Sequence, residues 1–418
     1  DELGRKWIVF LSAFVGFVGS VGMALSYDYS SLMIFRLVNG VAIGIGYVLG
    51  PVYIAELSPR SLRGGLVATG EVAVNVGILL GYVSNLAFSG LPGSLAWRVM
   101  VGMGAIPGIV LFVMIALLPE SPRWLFMHGY REEAKKVLTK AKYTENQIQD
   151  ILEEIEDLLN KTKGEEVAWK DLICCSTPFI RAVLTVGLGI NFFQQACGVE
   201  TCVYYTPQVL EQAGMTETSQ VLAGSVVIGI IKLLFIFPPM LYMETKGRKP
   251  FLYASFGGMF GALLLLAMAF SNTLFNSPNA IFILFSIALF MASFSFGIGP
   301  GNWVYSSEVF PLKIRGRAMS LGVIVNRAIS GTVASTFLPL SAAIGVSGAF
   351  TLYAFMCLLG VGFVMFILPE TKGMSLEEIE KMFQEQVGEG VDDGIEGEIG
   401  GMEVENVAEG EKGEEESG

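Results

Sequence analysis

Two adjacent amides, Gln194 and Gln195, stand inside an apolar run of the chain. Amides in a hydrocarbon setting are costly unless they meet polar partners or a ligand. A group that both donates and accepts hydrogen bonds suits hydroxyl-rich molecules, while hydrogen bonding between helices would satisfy the same pair. Arg36 poses a similar question, lying just inside the outer end of its apolar segment and about 30 Å along one helix from Glu56. Those two cannot pair, and a lone arginine there costs roughly 2.5–3.5 kcal/mol on insertion scales, less if it snorkels. Enzyme chemistry has no comparable footing. One histidine, His128, and five cysteines without a CxxC pair supply neither a metal site nor a nucleophile with an adjacent base. No metal, cofactor or covalent step is expected, and Cys174, Cys175, Cys197, Cys202 and Cys357 read as packing residues.

The elements that must position these groups follow from hydropathy and charge. Of 418 residues, 52% are hydrophobic and 16% charged, far from the averages of soluble domains. Formal charge is −12, but residues 384–418 hold 13 of the 39 acids and one of the 27 bases, so a neutral body precedes an acidic tail. Such a body has no clustered basic surface, which excludes a nucleic-acid partner. Crossing a bilayer takes roughly 20 apolar residues in a helix. Ten segments qualify, near 7–26, 32–55, 64–86, 97–118, 179–205, 220–243, 250–271, 281–306, 317–340 and 346–367. All are read as helices, because backbone in lipid must satisfy its own hydrogen bonds.

Connecting segments 27–31, 87–96, 206–219, 272–280 and 341–345 contain no Lys or Arg. The alternate set carries Arg5 and Lys6, Arg60 and Arg63, the stretch 119–178, Lys246, Arg248 and Lys249, then Lys313, Arg315 and Arg317. The positive-inside rule therefore puts both termini in the cytoplasm. The triplet Asn160-Lys161-Thr162 falls on that side and is expected to stay unglycosylated. Residues 130–162 pattern as short amphipathic cytosolic helices, with Val137, Ile148, Ile151, Ile155 and Leu158 at the apolar positions.

An internal repeat orders the spans. Asp1-x-x-Gly4-Arg5-Lys6 matches Glu244-x-x-Gly247-Arg248-Lys249; Glu56-x-x-Pro59-x-x-x-Arg63-Gly64 matches Glu308-x-x-Pro311-x-x-x-Arg315-Gly316; Pro119-Glu120-Ser121 matches Pro369-Glu370-Thr371. Three matches in one order at nearly one offset argue for two homologous halves. Two spans precede the Glu244 motif and none precedes the Asp1 motif, so six plus six helices are expected with two absent here. The domains are a four-span bundle over 1–118, a cytosolic linker over 119–178, a six-helix bundle over 179–368, a cytosolic helix start over 369–383 and a disordered acidic tail over 384–418. Helical halves related by an axis along the membrane normal, with a site at their interface, describe a secondary transporter.

The motif strings resemble the sugar porter family of the major facilitator superfamily from residue 1 to about residue 383. They are Arg36-x-x-x-Gly40, PVYIAELSPRSLRG at 51–64, PESPRWL at 119–125, GINFFQQACG at 189–198, GIGPGNWVYSSEVFPLKIRG at 297–316 and PETKG at 369–373. GEVAVNVGILLGYVSNLAF at 70–88 is most similar to plant polyol and monosaccharide proton symporters, with a glutamate where many relatives carry glutamine. The resemblance implies an all-α membrane protein of the major facilitator fold, with ten of twelve helices here. The implied function is alternating-access transport of polyols or monosaccharides, driven by protons in the complete protein. No chemistry is done on the substrate. The plasma membrane is the expected residence, with the vacuolar membrane as a second; no oligomeric state is implied. A non-transporting sugar sensor or an inactive partner subunit is the rival reading, because two helices and the coupling acid are absent.

By the same resemblance Gln194 and Gln195 match the sugar-binding pair, and Glu200 stands where relatives often have asparagine. Family spacing adds Glu71, Lys232, Trp303 and Asn326, with Arg327 replacing a common tryptophan. Two acids and two bases would then surround one cavity, which a membrane tolerates only as pairs or beside water. Either they form a charged lattice around a polyol or they are ion pairs locking helices. Arg36 matches the arginine that faces a proton-accepting acid on the family's first helix. Arg5, Glu56, Arg63, Glu244, Arg248, Glu308 and Arg315 would form a cytoplasmic gate of ion pairs between the halves, against the plainer reading of helix-end charges. Gly198 and the Gly297-x-Gly299-Pro300-Gly301 run are expected to break helices near the site. The Gly40, Gly44, Gly46, Gly50 series reads as helix packing, since no P-loop lysine accompanies it.

Overall fold

The computed structural model describes residues 3–58, 63–140, 143, 145, 148–149, 151–153, 169, 172, 177–271, 279–311, 314–374 and 376–387. Side chains of Arg63 and Glu244, Arg60, the Asn160 triplet, Ile155, Leu158, Cys174, Cys175 and the tail from 388 onward lie outside the described set. Among the described residues all regular structure is helical. The first half holds α1 (Arg5–Leu25), α2 (Tyr29–Leu57), α3 (Arg63–Phe88), α4 (Gly93–Gly102) and α5 (Ala105–Leu117). Short α6 (Pro122–Met127) and α7 (Arg131–Lys140) follow. The second half holds α8 (Pro178–Ala196), α9 (Val199–Tyr204), α10 (Thr206–Gln212), α11 (Thr218–Leu234), α12 (Phe237–Lys246), α13 (Lys249–Phe270), α14 (Ala280–Phe296), α15 (Ile298–Val309) and α16 (Arg315–Phe366). A last helix, α17 (Leu376–Val387), runs past residue 384, where the tail is expected to start.

Helix starts are set by side chains that satisfy otherwise orphaned amides. The Asp28 carboxylate accepts from Ser31 N at the start of α2. Thr177 accepts from Ile180 N ahead of α8, with Pro178 in the first turn, and Asn279 accepts from Ile281 N and Phe282 N ahead of α14. Nine helices or helix pairs are long and apolar enough to cross a membrane among the described residues. The ninth, Arg315–Phe366, is two helices meeting at Gly345, where φ is 77°, so the ten expected crossings are accounted for with the last two joined.

The expected glycine breaks are present. Gly198 has φ 84° between α8 and α9, and an added Cβ would lie 2.7 Å from the Tyr353 ring. Gly297 separates α14 from α15, and a Cβ there would collide with Phe251 O. Two further breaks were not anticipated: the 97–118 span parts at Met103–Gly104, and the 220–243 span parts at Phe235–Ile236, ahead of Pro238 in the first turn of α12. Proline cannot donate to the preceding turn, so a helix readily restarts there. The glycine series of α2 does not pack as expected against the described residues. A Cβ added at Gly40, Gly44 or Gly50 would meet nothing within 4 Å, and one at Gly46 would meet only Ser12 Oγ at 3.9 Å.

In the second half α13 packs on α14 and α16, and α8 on α16, around a core that includes Phe256, Phe290, Phe310 and Phe350. In the first half α1 packs on α2 and α5, with Val9, Tyr53 and Ile115 as its small core. The halves meet where α3 lies along α11 and touches α15. Leu125, Ala134, Leu138, Ile148 and Leu152 form a separate cluster beneath α6 and α7.

Candidate functional site

The break at Gly198 ends α8 beside the break that starts α15, so amides from both helices converge with α16. Gln194 Nε2 donates to the carbonyls of Ile298 at 3.1 Å and Gly299 at 3.0 Å, main-chain groups near the freed start of α15. Its Oε1 accepts from Asn302 Nδ2 at 3.0 Å and Asn326 Nδ2 at 2.6 Å. Asn326 Oδ1 in turn accepts from Gln195 Nε2 at 3.1 Å and from Arg327 Nε at 3.0 Å. Asn191 completes the network, donating to Ser306 Oγ at 3.1 Å and accepting from Asn302 at 2.9 Å. Gln194, Gln195, Asn191, Asn302 and Asn326 are all buried.

The two members of the amide pair therefore differ. Gln194 and Asn326 have their amide groups engaged by protein, so interhelical bonding describes both better than direct ligand contact. Gln195 Oε1 is buried with no partner among the described residues. Buried acceptors are nearly always satisfied, and a ligand hydroxyl would complete this one. Across the seam on α3, Asn75 Oδ1 is a second such acceptor, while its Nδ2 donates to Glu71 O at 3.0 Å.

The charged residues gather around this network. The Glu71 carboxylate accepts from the Trp303 side chain and lies in the field of Lys232 and Arg327. Lys232 is buried, with its ammonium 5.6 Å from the Phe294 ring centroid and Glu71 and Glu200 as its acidic neighbours. Glu200 accepts from Ser330 Oγ at 2.8 Å and faces Arg327 Nη1 at 4.0 Å. The Arg327 guanidinium sits 5.2 Å from the Tyr47 ring centroid, and Tyr47 lies 6.1 Å from the Trp303 ring. Glu71 and Tyr47 come from the first half and the others from the second, so the charges bridge the seam. Asn191, Asn302, Tyr47 and Ser330 were not singled out from sequence. Asn191 carried a usable signal, being one turn before Gln194 on the same helical face; Tyr47 carried none, since an aromatic in an apolar helix is ordinary.

Arg36 lies exposed near the start of α2, with no ion pair among the described residues. At the repeated motifs the two described ion pairs form within each half, which for Arg5, Glu56, Arg248 and Glu308 corrects the expectation that they join the halves. Arg5 Nε lies 3.4 Å from Glu56 Oε2, and Arg248 Nη2 lies 2.6 Å from Glu308 Oε1. The reason is local packing: α1 and α2 are antiparallel neighbours, and so are the helix ends that carry Arg248 and Glu308. Ser121 Oγ donates to Glu56 at 2.5 Å and Thr371 Oγ1 to Glu308 at 2.6 Å. Glu120 accepts from Lys6 N, and Glu370 from Arg248 N and Lys249 N. Tyr53 and Tyr305 each donate to the carbonyl of the proline that opens the third repeated motif, Pro119 and Pro369. Arg315 Nε donates to Phe310 O at 3.0 Å.

A family model described as "Sugar (and other) transporter" matches residues 1–383. The chain is 41% identical to "Probable polyol transporter 4" of Arabidopsis thaliana over 92% of this chain and 73% of that protein. It is 38% identical to "Polyol transporter 5" of the same plant over 92% of this chain and 74% of that protein. Among solved structures it superposes on XylE from E. coli, a major facilitator superfamily proton:xylose symporter bound to 6-bromo-6-deoxy-D-glucose, with a TM-score of 0.74 at 27% identity, covering 91% of this chain and 83% of the other.

Proposed function

The chain belongs to the sugar transporter family, a multi-pass membrane protein of the major facilitator fold and not an enzyme, and from that premise we propose that it carries polyols and monosaccharides by alternating access with proton symport. One observation carries the substrate reading: the unpartnered Gln195 Oε1 in an otherwise saturated amide network beside the seam between the halves. Gln194, Asn302 and Asn326 act as positioning residues that hold Gln195 and the start of α15 in place. Gln195, Glu200, Glu71, Lys232, Trp303 and Arg327 supply the ligand contacts. Hydroxyls can donate to the amide and carboxylate oxygens and accept from the indole, ammonium and guanidinium.

Alternating access needs each half to move as a body about the seam. The paired clusters around Glu56 and Glu308 tie the inner helix ends of each half, so the cytoplasmic gate is the closing of one tied body on the other. Arg63, Glu244 and Arg315 sit at the same inner ends. Arg36 is proposed to take part in proton coupling as the partner of an acid that accepts the proton, the residence is proposed to be the plasma or vacuolar membrane, and cytoplasmic termini fit the charge alternation.

The test is uptake of labelled sorbitol and xylose by proteoliposomes, with and without an inward proton gradient. Saturable uptake that the gradient accelerates is expected, with Gln195→Ala weakening apparent affinity about tenfold, the loss of one buried hydrogen bond. Ligand binding without uptake would favour the sensor reading instead.

A further inference from the structure

Two of the four charged side chains at the central site, Lys232 and Glu200, are buried, and the Glu71 carboxylate accepts from the Trp303 side chain. Arg327 differs, with a side chain 40% exposed beside the ring of Tyr47 in the opposite half. Its Nε and Nη2 donate to Asn326 Oδ1 at 3.0 and 2.5 Å, while the 4.0 Å approach to Glu200 is too long for a hydrogen bond. A guanidinium carries five N–H donors in a fixed plane, so both protons of Nη1 and one of Nη2 have no acceptor within reach among the described residues. One proton of Nη1 and the free proton of Nη2 line the end-on edge of the fork. That edge matches the two oxygens of a carboxylate, which a lone hydroxyl cannot fill.

Gln195 Nε2 and Arg327 Nη2 donate to the same atom, Asn326 Oδ1. An anion held on the fork therefore has its hydroxyl tail within reach of the unpartnered Gln195 Oε1. Glu200 Oε1 stands 4.0 Å from Nη1, so an anion on that edge is repelled from the Nη1 end and leans toward Nη2. We infer that the site takes hydroxylated carboxylates of the aldonate class as well as neutral polyols, with the carboxylate on Arg327. The inference rests on the transport reading for carriage of the anion, and on geometry alone for its binding.

D-Gluconate and D-sorbitol differ only at the terminal carbon, which is a carboxylate in one and a hydroxymethyl in the other. Binding of each to the purified chain is measured by thermal stabilisation, and uptake of labelled sorbitol is measured in parallel with gluconate as competitor. Gluconate is expected to bind at least as tightly as sorbitol and to weaken as salt rises. In Arg327→Gln the ratio of gluconate to sorbitol affinity should fall about tenfold, the loss of one charge-assisted contact. Arg327→Lys, which keeps the charge without the fork, should fall between. Should either variant fail to fold, the wild-type affinity ratio and its salt dependence decide. A wild-type protein that binds gluconate about tenfold more weakly than sorbitol, or a ratio unchanged in both variants, overturns the inference. Gluconate binding with no sorbitol uptake would remove the carrier and leave this site; sorbitol uptake with no gluconate binding would do the reverse.

Discussion

The two halves repeat the same chemistry at their shared motifs yet differ at the central polar site. Arg5, Glu56 and Ser121 are mirrored by Arg248, Glu308 and Thr371. The connected amide network, however, is built from α8, α15 and α16 of the second half, and the first half contributes Tyr47, Glu71 and Asn75 across the seam. Burial follows the same division: 67% of the most apolar window of Pro178–Tyr204 is buried, against 6% for Tyr29–Leu57. The duplicated part ties helix ends within each half. The connected polar network lies in the half that buries it at a fixed geometry, because a partly satisfied network is costly in a low-dielectric core.

The widest separation should come from Asn302→Leu against Asn75→Leu. Removing Asn302 leaves Asn191 Oδ1 without its donor and Gln194 Oε1 with Asn326 alone. Orphaned buried polar groups cost about 1–3 kcal/mol each, so the melting temperature in detergent should drop sharply. Asn75 donates only within its own helix, and its loss should change stability by less than about 1 kcal/mol. Equal losses would dissolve the contrast. Glycine replacements give a second, smaller separation. A Cβ at Gly189 would collide with the ring of Phe363, whereas Gly40 has open space. Gly189→Ala should destabilise by about 1–3 kcal/mol through overpacking, and Gly40→Ala should gain up to about 1 kcal/mol in helix propensity.

The repeated motifs sharpen the likeness between halves. Glu308 pairs with Arg248 through two contacts, at 2.6 and 3.2 Å, while Glu56 meets Arg5 at 3.4 Å. Glu308→Gln should therefore lower the melting temperature more than Glu56→Gln, by a difference of about 1 kcal/mol. A double-mutant cycle with each arginine isolates the pair from the surrounding hydrogen bonds.

What was legible in the sequence followed from what polarity and glycine do inside apolar runs. Gln194 and Gln195 stood out because amides there need a reason, and Gly198 and Gly297 marked breaks because backbone freedom was the simplest account of them. The breaks at Met103–Gly104 and Phe235–Ile236 had weaker cues, since each lies upstream of a proline rather than on it. The pairing within the repeated motifs could not be read at all. The repeat named Arg5, Glu56, Arg248 and Glu308, but which helix ends are neighbours is a matter of tertiary packing, and both inter-half and intra-half pairs satisfy the same spacing. For the same reason the sequence could not separate Gln194 from Gln195: adjacent residues on a helix face about 100° apart, and only the packing partners decide which one is saturated.

The smallest effect concerns how one helix of each half begins its crossing. The α2 cap is a carboxylate, Asp28, and the α8 cap is the hydroxyl of Thr177. Hydrogen bonds from the Ser31 hydroxyl, then from its amide, hold the Asp28 carboxyl below its ordinary value of 3.8. A folded value below the unfolded one means the cap contributes fully above the ordinary carboxylate range and is lost as pH falls through the lowered folded value. Amide exchange at Ser31 should therefore quicken on acidification relative to Ile180, whose partner Thr177 does not titrate. Asp28→Asn keeps a good cap and removes the ionisation, so it should abolish that pH dependence while leaving exchange near neutral pH little changed. If Ser31 and Ile180 respond alike to acid in the wild type, the difference between the two helix starts is not electrostatic, because the only titrating group in either cap is the Asp28 carboxylate.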